Sequence, residues 1–267
     1  MYLNFYGLKE YPFNVTSDPG FLYLSNAHKD AIDHILYGIN ERKGFIEITG
    51  EIGAGKTTIC KAILNRLSDK VKTSFIVNPN LSATQLLETI LSDFGYVPLH
   101  RDKGRLFRDF NKFLLEEFSN GNNVVLIIDE AQNLSNSVLE TIRMLSNFET
   151  EKEKLLQIIL VGQPELKNKL ANAELTQLRQ RISVNFHLTA LSNDELKKYV
   201  EHRLNVAGSA EINFDPDAMD LLSKYSKGIP RVANMICDKA LLLGFARNTK
   251  NINVEIMGTS IGDTEVR

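Results

Sequence analysis

Short apolar runs alternate with amphipathic stretches over the first two thirds of the chain. Apolar runs bounded by turn residues are typical of buried strands, and apolar residues repeating about every 3.6 positions are typical of helices. The predicted strands are Gly44–Thr49, Thr73–Val77, Asn123–Ile128, Leu155–Val161 and Ser183–Leu188. Strands that alternate with helices predict an α/β fold with a parallel sheet covered on both faces.

The predicted helices fall between these strands and after them. The helices between them are Lys56–Leu67, Ser82–Phe94, Gly104–Phe118 and Ser135–Phe148, with short helices from Pro164 and near Leu175–Arg181. Another helix is predicted from Ser25 or Asn26 to about Arg42, with Ala31, Ile35, Leu36 and Ile39 on its apolar face. After Leu188 the pattern is helical only, over Asn193–Val206, Pro216–Tyr225 and Pro230–Phe245. These last helices predict a small second domain.

The predicted domain boundaries follow from these changes of pattern. An aromatic arm without regular structure and the first helix occupy residues 1–43, the α/β domain 44–190, the helical domain 191–257 and a frayed polar tail 258–267. No apolar stretch approaches the roughly 20 residues that a membrane-spanning helix requires. The start of the chain lacks the basic and then apolar pattern of a signal peptide, so we expect a cytoplasmic protein.

Composition and charge add little that is specific. The 267 residues carry 31 Lys and Arg against 33 Asp and Glu, a net charge of -2. A global basic field that would attract nucleic acid or anionic lipid is therefore excluded. Cys60 and Cys237 lack the spacing of metal ligands, so we expect buried free thiols.

Residues 50–57 match the phosphate-binding pattern G-x-x-x-x-G-K-[ST] at every fixed position. The loop lies between a predicted strand and a predicted helix, where its backbone amides and the helix N-terminus would surround phosphate oxygens. Lys56 would reach the outer phosphates, and the Thr57 hydroxyl would bind Mg²⁺. The residues expected to bind ATP or ADP are Gly50, Glu51, Ile52, Gly53, Ala54, Gly55, Lys56, Thr57 and Thr58.

Polar side chains follow two further predicted strands. Asp129 and Glu130 come directly after the apolar run that ends at Ile128, and Gln163 follows Gly162. Carboxyl ends of parallel strands meet at one sheet edge, so Asp129 would hold Mg²⁺ beside the phosphate loop. Glu130 would polarise an attacking water, which favours ATP hydrolysis over phosphoryl transfer to a bound acceptor. Gln163 would contact the γ-phosphate or its water, or else only cap the helix that begins at Pro164.

Three arginines are candidates for contact with the same phosphates. Arg181 and, as second choice, Arg179 precede the last strand, where an arginine can reach the γ-phosphate of a neighbouring subunit. Arg231 lies in the first turn of a predicted helix, a position where the helix dipole disfavours a cation unless an anion is near. Solvated surface arginines are the alternative for all three, and for Arg231 a local salt bridge is a further one. His28 would lie near adenine or on the helix surface, and the arm around Phe13 would cover adenine or only pack on the core.

Together these motifs resemble AAA+ ATPases, and further segments resemble the general secretion pathway protein A (ExeA/GspA) family within them. The segments are Met1-Tyr2, Phe5-Tyr6-Gly7-Leu8, Pro12-Phe13, Phe21-Leu22-Tyr23, Tyr37-Gly38-Ile39, Gly44-Phe45, Asp129-Glu130-Ala131-Gln132-Asn133-Leu134, Leu145-Ser146-Asn147-Phe148-Glu149 and Leu160-Val161-Gly162-Gln163-Pro164-Glu165-Leu166. The resemblance covers nearly the whole chain, to about Phe245.

The resemblance implies a five-stranded sheet in the order 5-1-4-3-2 and a helical lid over the nucleotide. It also implies a ring or filament of identical subunits, an arginine finger acting in trans, and Gln163 and Arg231 as first and second sensors. Family members of type II secretion are longer, with a transmembrane helix and a peptidoglycan-binding part, so either an excised domain or a stand-alone relative is expected. The implied role is ATP hydrolysis coupled to secretion, envelope assembly or polysaccharide export, through a membrane-associated protein partner.

Two other functions stay open at this point. A DNA-associated regulator similar to the transposition ATPases would share the phosphate loop and lid, although the charge of -2 makes nucleic acid the less favoured partner. A nucleotide-switched scaffold would bind ATP with little turnover. Hydrolysis that depends on assembly, or binding to DNA that depends on ATP, would separate these possibilities.

Overall fold

The computed structural model describes residues 2–14, 19–77, 79–98, 100–208 and 211–265. The helices are α1 (Leu3–Tyr6), α2 (Asn26–Asn40), α3 (Lys56–Leu64), α4 (Ala83–Asp93), α5 (Lys103–Ser119), α6 (Asn136–Leu145), α7 (Pro164–Leu170), α8 (Thr176–Arg179), α9 (Asn193–Val206), α10 (Pro216–Ser226), α11 (Pro230–Ala246) and α12 (Val254–Glu265). Short 3₁₀ turns cover Pro19–Phe21, Ala131–Asn133 and Ala173–Leu175. The strands are β1 (Phe45–Gly50), β2 (Val71–Ile76), β3 (Asn123–Ile128), β4 (Leu156–Gly162), β5 (Ile182–Leu188), β6 (Asn213–Phe214) and β7 (Asn251–Ile252).

These elements form two compact units, of which residues 28–50 and 59–188 make the sheet unit. Its sheet has the order β2-β3-β4-β1-β5, and every neighbouring pair is parallel. The α/β class and the strand order implied by the resemblance are therefore confirmed. The apolar residues of β3, Val124–Ile128, are all buried, as a strand requires when helices cover both faces of its sheet.

Helices on the sheet present apolar faces to one core. Leu86, Ile90 and Leu91 of α4 join Leu106, Phe110 and Leu114 of α5 and Leu139, Ile142 and Leu145 of α6 in that cluster. The start of α4 has a capping box, because Ser82 accepts from the Gln85 amide while the Gln85 side chain accepts from the Ser82 amide. This capping box fixes the first turn of the helix.

The other unit comprises residues 1–27, 51–58 and 189–267, within the described ranges, and its core is helical. Apolar side chains of α9, α10 and α11 pack with residues of the N-terminal arm, including Tyr2, Tyr6, Leu8, Phe13 and Phe21. The Tyr6 hydroxyl donates to the Leu241 carbonyl at 2.9 Å. The arm is therefore part of this core.

Arg203 of α9 fastens the arm to the helical unit. Its side chain is buried, and its Nη2 donates to the Asn14 carbonyl at 3.0 Å while Nε donates to the Pro12 carbonyl. The guanidinium carbon also lies 4.7 Å from the centroid of the Phe21 ring. Backbone carbonyls and an aromatic face thus stabilise this cation.

Two predictions about the chain ends are wrong. The arm contains regular structure, since Leu3–Tyr6 is helical and Gly7 closes that helix in the left-handed region. The predicted frayed tail forms most of α12, where Ile256, Met257 and Ile261 are buried against the helical core. Residues 266 and 267 of that tail lie outside the described residues. Tertiary burial outweighs the low helix propensity of the glycines in this segment.

Both cysteines are free and buried, as predicted. Burial raises the pKa of the Cys237 thiol, which keeps it protonated at neutral pH. In the ranges that the structure describes, no helix combines the length and apolar character needed to cross a membrane.

Candidate functional site

Three neighbouring strands end at the same edge of the sheet, and each end carries a predicted site residue. Thr49 of β1 is level with Gly162 of β4, and Ile128 of β3 is level with Leu160 of β4. Gly50, Asp129 and Gln163 therefore mark the ends of β1, β3 and β4 at one edge. Parallel strands place their carboxyl ends together in this way, and ligands of open α/β sheets bind there.

The predicted phosphate loop leaves β1 after Gly50 and ends where α3 begins at Lys56. Gly53 and Gly55 have φ angles of +80° and +102°, which L side chains rarely adopt. The Lys56 Nζ donates to the Glu51 carbonyl at 2.9 Å, across the loop. The loop thus has the glycine-dependent turn and helix start that the sequence pattern predicts for phosphate binding.

Arg231 at the start of α11 lies directly against this loop. Its backbone amide donates to the Gly53 carbonyl at 3.4 Å. A Cβ atom added to Gly53 would lie 2.4 Å from the Arg231 Cβ, so only glycine allows this approach. The Arg231 side chain is exposed and forms no ion pair with the described residues. The structure thus brings Arg231 to the phosphate loop.

We expect Gly53→Ala to weaken ATP binding at least about tenfold, because the new methyl group must displace Arg231 as well as strain the backbone. Gly95→Ala is the matched control, since Gly95 has a similar φ of +78° but no atom within 4 Å of the added Cβ. Calorimetric titration with ATP and thermal unfolding measure the two effects. Equal ATP affinities in the two variants would show that the close approach of Arg231 to Gly53 is not needed for ATP binding.

Asp129 and Glu130 occupy the turn that follows β3. Asp129 is buried, and its Oδ1 accepts the Glu130 amide at 2.9 Å. Glu130 adopts φ 52° and ψ 36°, a left-handed conformation that is uncommon for a residue other than glycine. Backbone strain of this kind is concentrated at functional sites.

An amide network holds the Glu130 carboxylate. Its Oε2 accepts from Gln163 Nε2 at 3.0 Å and from Gln132 Nε2 at 2.5 Å. Gln163 is also the N-cap residue of α7, as the alternative expected, but its side chain makes no capping hydrogen bond. Sequence reasoning did not give Gln132 a role, although it stands two residues after Glu130 in a quoted motif.

Hydrogen bonds within the chain orient the side chain of Arg181, whereas, within the described ranges, the side chain of Arg179 has none. Arg181 Nη1 donates to the Ser146 hydroxyl at 2.7 Å and to the Arg143 carbonyl at 3.4 Å. Arg143 itself is paired with Glu140, and this hydrogen bond holds the Glu140 pKa below its ordinary value. Arg179 is exposed, and its side chain has no hydrogen bond or ion pair with the described residues.

Two residues that the sequence suggested could lie near adenine are buried in the protein. His28 of α2 is only 4% exposed, so its expected alternative position on the helix surface is wrong. Phe13 packs edge to face on Phe214 with ring centroids 6.3 Å apart. Core packing of the arm around Phe13 is therefore confirmed, and its contact with adenine stays a prediction.

Comparisons with known proteins agree with this fold. A family model described as an AAA domain matches residues 39–170. The Aeropyrum pernix ORC2 protein in its ADP form has a TM-score of 0.66 and 17% identity, over 90% of this chain and 69% of that one. The Thermotoga maritima RuvB Holliday junction branch migration motor has a TM-score of 0.58 and 17% identity, over 88% and 67%. The chain thus has the fold of P-loop AAA+ proteins.

Sequence similarity is more specific than the shared fold. General secretion pathway protein A of Aeromonas hydrophila is 42% identical over 254 residues, which cover 94% of this chain. The predicted resemblance to the AAA+ proteins of the general secretion pathway protein A type is therefore confirmed. The chain spans 46% of the length of that relative.

Proposed function

We propose that the chain binds ATP at the phosphate loop and hydrolyses it with the help of Mg²⁺. The observation that carries this proposal is the common sheet edge at which β1 passes into the loop, β3 ends at Asp129-Glu130 and β4 ends at Gln163. A phosphate loop, a metal-binding carboxylate and a second carboxylate for water are the parts that nucleotide hydrolysis requires.

The oxygen donors available for a metal suit Mg²⁺. Thr57 offers a hydroxyl and Asp129 a buried carboxylate, and Mg²⁺ prefers few protein oxygens together with water and phosphate oxygens. When bound, the metal would neutralise charge on the outer phosphates. This metal assignment rests on donor chemistry and on the place of each residue in its motif.

The remaining residues have separate roles in this proposal. Lys56 and the loop amides bind phosphate oxygens, and Glu130 accepts the proton of the attacking water. Gln163 orients that water or the γ-phosphate. Arg231 supplies a further positive charge, which is supported by its contact with Gly53. Negative charge that develops on the phosphates in the transition state would be stabilised by Lys56 and the loop amides, which the fold holds in place before ATP binds.

We further propose that the active form is an oligomer in which Arg181 reaches the γ-phosphate of a neighbouring subunit. The hydrogen bonds from Nη1 to Ser146 and Arg143 fix the guanidinium and leave other donors available. Fixed geometry lowers the entropy cost of each contact that the arginine makes. Arg179, which lacks such contacts, is the second candidate.

We expect ATP turnover per subunit to rise with protein concentration, because a site completed by a neighbour forms only in the oligomer. Arg181→Ala should bind ATP normally but turn it over at least about 100-fold more slowly, and Arg179→Ala should lose less. Steady-state hydrolysis over a range of protein concentrations is the measurement. Mixing Arg181→Ala with Glu130→Gln subunits should restore activity above that of either alone, because each supplies what the other lacks.

Other outcomes of this experiment would lead to different conclusions. A rate independent of concentration, with no recovery in the mixture, would place Arg181 outside any shared site. ATP binding without turnover at every concentration would favour the nucleotide-switched scaffold. If only Arg179→Ala reduced turnover, the trans contact would belong to Arg179.

For the process that hydrolysis serves, we propose secretion or another step of envelope assembly or polysaccharide export. The support is the similarity to general secretion pathway protein A over nearly the whole chain. Such a role places the chain in the cytoplasm, peripheral to the inner membrane through a membrane-associated protein partner. The DNA-associated alternative has support only from distant relatives that share the fold.

A further inference from the structure

The side chain of Gln132 is hydrogen-bonded at both ends of its amide. Gln132 Nε2 donates to Glu130 Oε2 at 2.5 Å, and Gln132 Oε1 accepts the Gln163 backbone amide at 3.2 Å. The same side chain therefore joins the turn after β3 to the turn after β4. An amide has a donor and an acceptor side, so this bridge uses both functions of the group.

The surroundings of Gln132 are fitted to this bridge. Lys169 Nζ donates to the Gln132 carbonyl at 2.9 Å, which fixes the backbone of the 3₁₀ turn from α7. A Cβ atom added to Gly162 would lie 2.8 Å from Gln132 Oε1, so glycine at the end of β4 makes room for the amide. Gln132 is thus held through its backbone as well as its side chain.

The two amide donors act on only one oxygen of the carboxylate. Gln132 and Gln163 both reach Glu130 Oε2, whereas Oε1 has no hydrogen bond to any described residue. Fixing one oxygen fixes the plane of the carboxylate and leaves the other oxygen for a water molecule.

Gln163 and Gln132 both donate to the Glu130 carboxylate, but they differ in how firmly they are themselves held. The Gln163 side chain makes one hydrogen bond to the described residues, and it is free to exchange that bond for a phosphate oxygen. Gln132 is tied at its amide oxygen, its amide nitrogen and its carbonyl. It would therefore still hold Glu130 after Gln163 had turned towards the nucleotide.

We infer that Gln132 is a positioning residue that orients Glu130 for water activation and links its orientation to the turn that carries Gln163. The inference rests on the proposed ATP hydrolysis. Gln132 touches neither nucleotide nor water in this role, so its loss should lower the turnover number and leave ATP affinity nearly unchanged. A residue that merely stabilised the fold would affect stability and affinity together.

The test compares variants that remove different parts of the bridge. Gln132→Met keeps the length of the side chain and removes both amide functions. Gln132→Glu keeps the acceptor for the Gln163 amide but faces Glu130 with a second carboxylate. Asn133→Ala is the matched control, since Asn133 lies in the same turn, is exposed and has no side-chain hydrogen bond to the described residues.

We expect Gln132→Met and Gln132→Glu to lower kcat by roughly tenfold to a hundredfold, the usual cost of a misplaced catalytic group. The dissociation constant for ATP should stay within about twofold of that of the unmodified chain. In Asn133→Ala, both kcat and the dissociation constant for ATP should stay within about twofold of the unmodified values. Thermal unfolding of Gln132→Met, Glu130→Ala and the double variant provides a readout independent of turnover. The Tm losses should be non-additive, because each single change breaks the same contact.

The possible outcomes separate the role of Gln132, its contact with Glu130 and the proposed ATP hydrolysis. An unmodified chain that hydrolyses ATP, with Gln132→Met equally fast, would overturn the role of Gln132 alone. Additive Tm losses would show that Gln132 and Glu130 are not in contact. An unmodified chain that binds ATP and hydrolyses none at any concentration would overturn the proposed function itself.

Discussion

Replacing Lys56 by alanine is expected to weaken ATP binding by about 10- to 100-fold, since one or two charge-assisted hydrogen bonds to phosphate are lost. Turnover should fall further, by roughly 1,000-fold, because charge on the outer phosphates grows in the transition state and the lysine is already in place to meet it. The side chain is 6% exposed and lies across the loop on the Glu51 carbonyl. Calorimetric titration and steady-state hydrolysis measure the two losses.

Lys61→Ala is the control for Lys56→Ala. Lys61 lies in the last turn of the same helix α3, so its replacement removes the same charge from the same element. ATP affinity in Lys61→Ala should match that of the unmodified chain. If Lys56→Ala also bound ATP normally, the assignment of the phosphate loop would be wrong.

Glu130→Gln is expected to separate binding from turnover. The amide keeps the size of the carboxylate but cannot take the proton from water, so hydrolysis should fall by about 100- to 10,000-fold. ATP binding should persist, since Glu130 is not proposed to contact the phosphates. Single-turnover hydrolysis with the chain in excess over ATP measures the chemical step directly.

An exposed acid near the same sheet edge provides the comparison for Glu130→Gln. Glu165 lies in the first turn of α7, just after Gln163, and Glu165→Gln removes one negative charge there. We expect its turnover to be unchanged. Similar losses in both variants would point to a general effect of charge instead of a base at Glu130.

The sheet unit was largely predictable because its signals are local. The five apolar residues at Val124–Ile128 stand between polar residues, and the phosphate-loop pattern marks the change from strand to helix between Gly50 and Lys56. The order of the strands is not encoded in such runs, and it came from the resemblance. Strand β1 ends one residue later than predicted, at Gly50, because its pairing with Leu188 of β5 extends the ladder.

The features that sequence reasoning missed depend on contacts between distant parts of the chain. The segment 254–265 contains Gly258 and Gly262, which lowered its helical signal, although Ile256, Met257 and Ile261 repeat with helical spacing. Likewise, the role of Gln132 becomes visible only when β3 and β4 are neighbours and Gly162 leaves space for its amide. Local propensity describes neither packing nor cross-strand hydrogen bonds.

Burial of the N-terminal arm in the helical unit also sets an order of events during synthesis. Tyr2 bonds to Asp238 and Tyr6 to Leu241, contacts that span 236 and 235 residues. The whole sheet unit has left the ribosome once residue 188 has emerged, whereas the arm must wait for partners made more than 230 residues after it. Until then the aromatic side chains of the arm lack their native contacts, so the nascent chain exposes apolar surface during this part of synthesis.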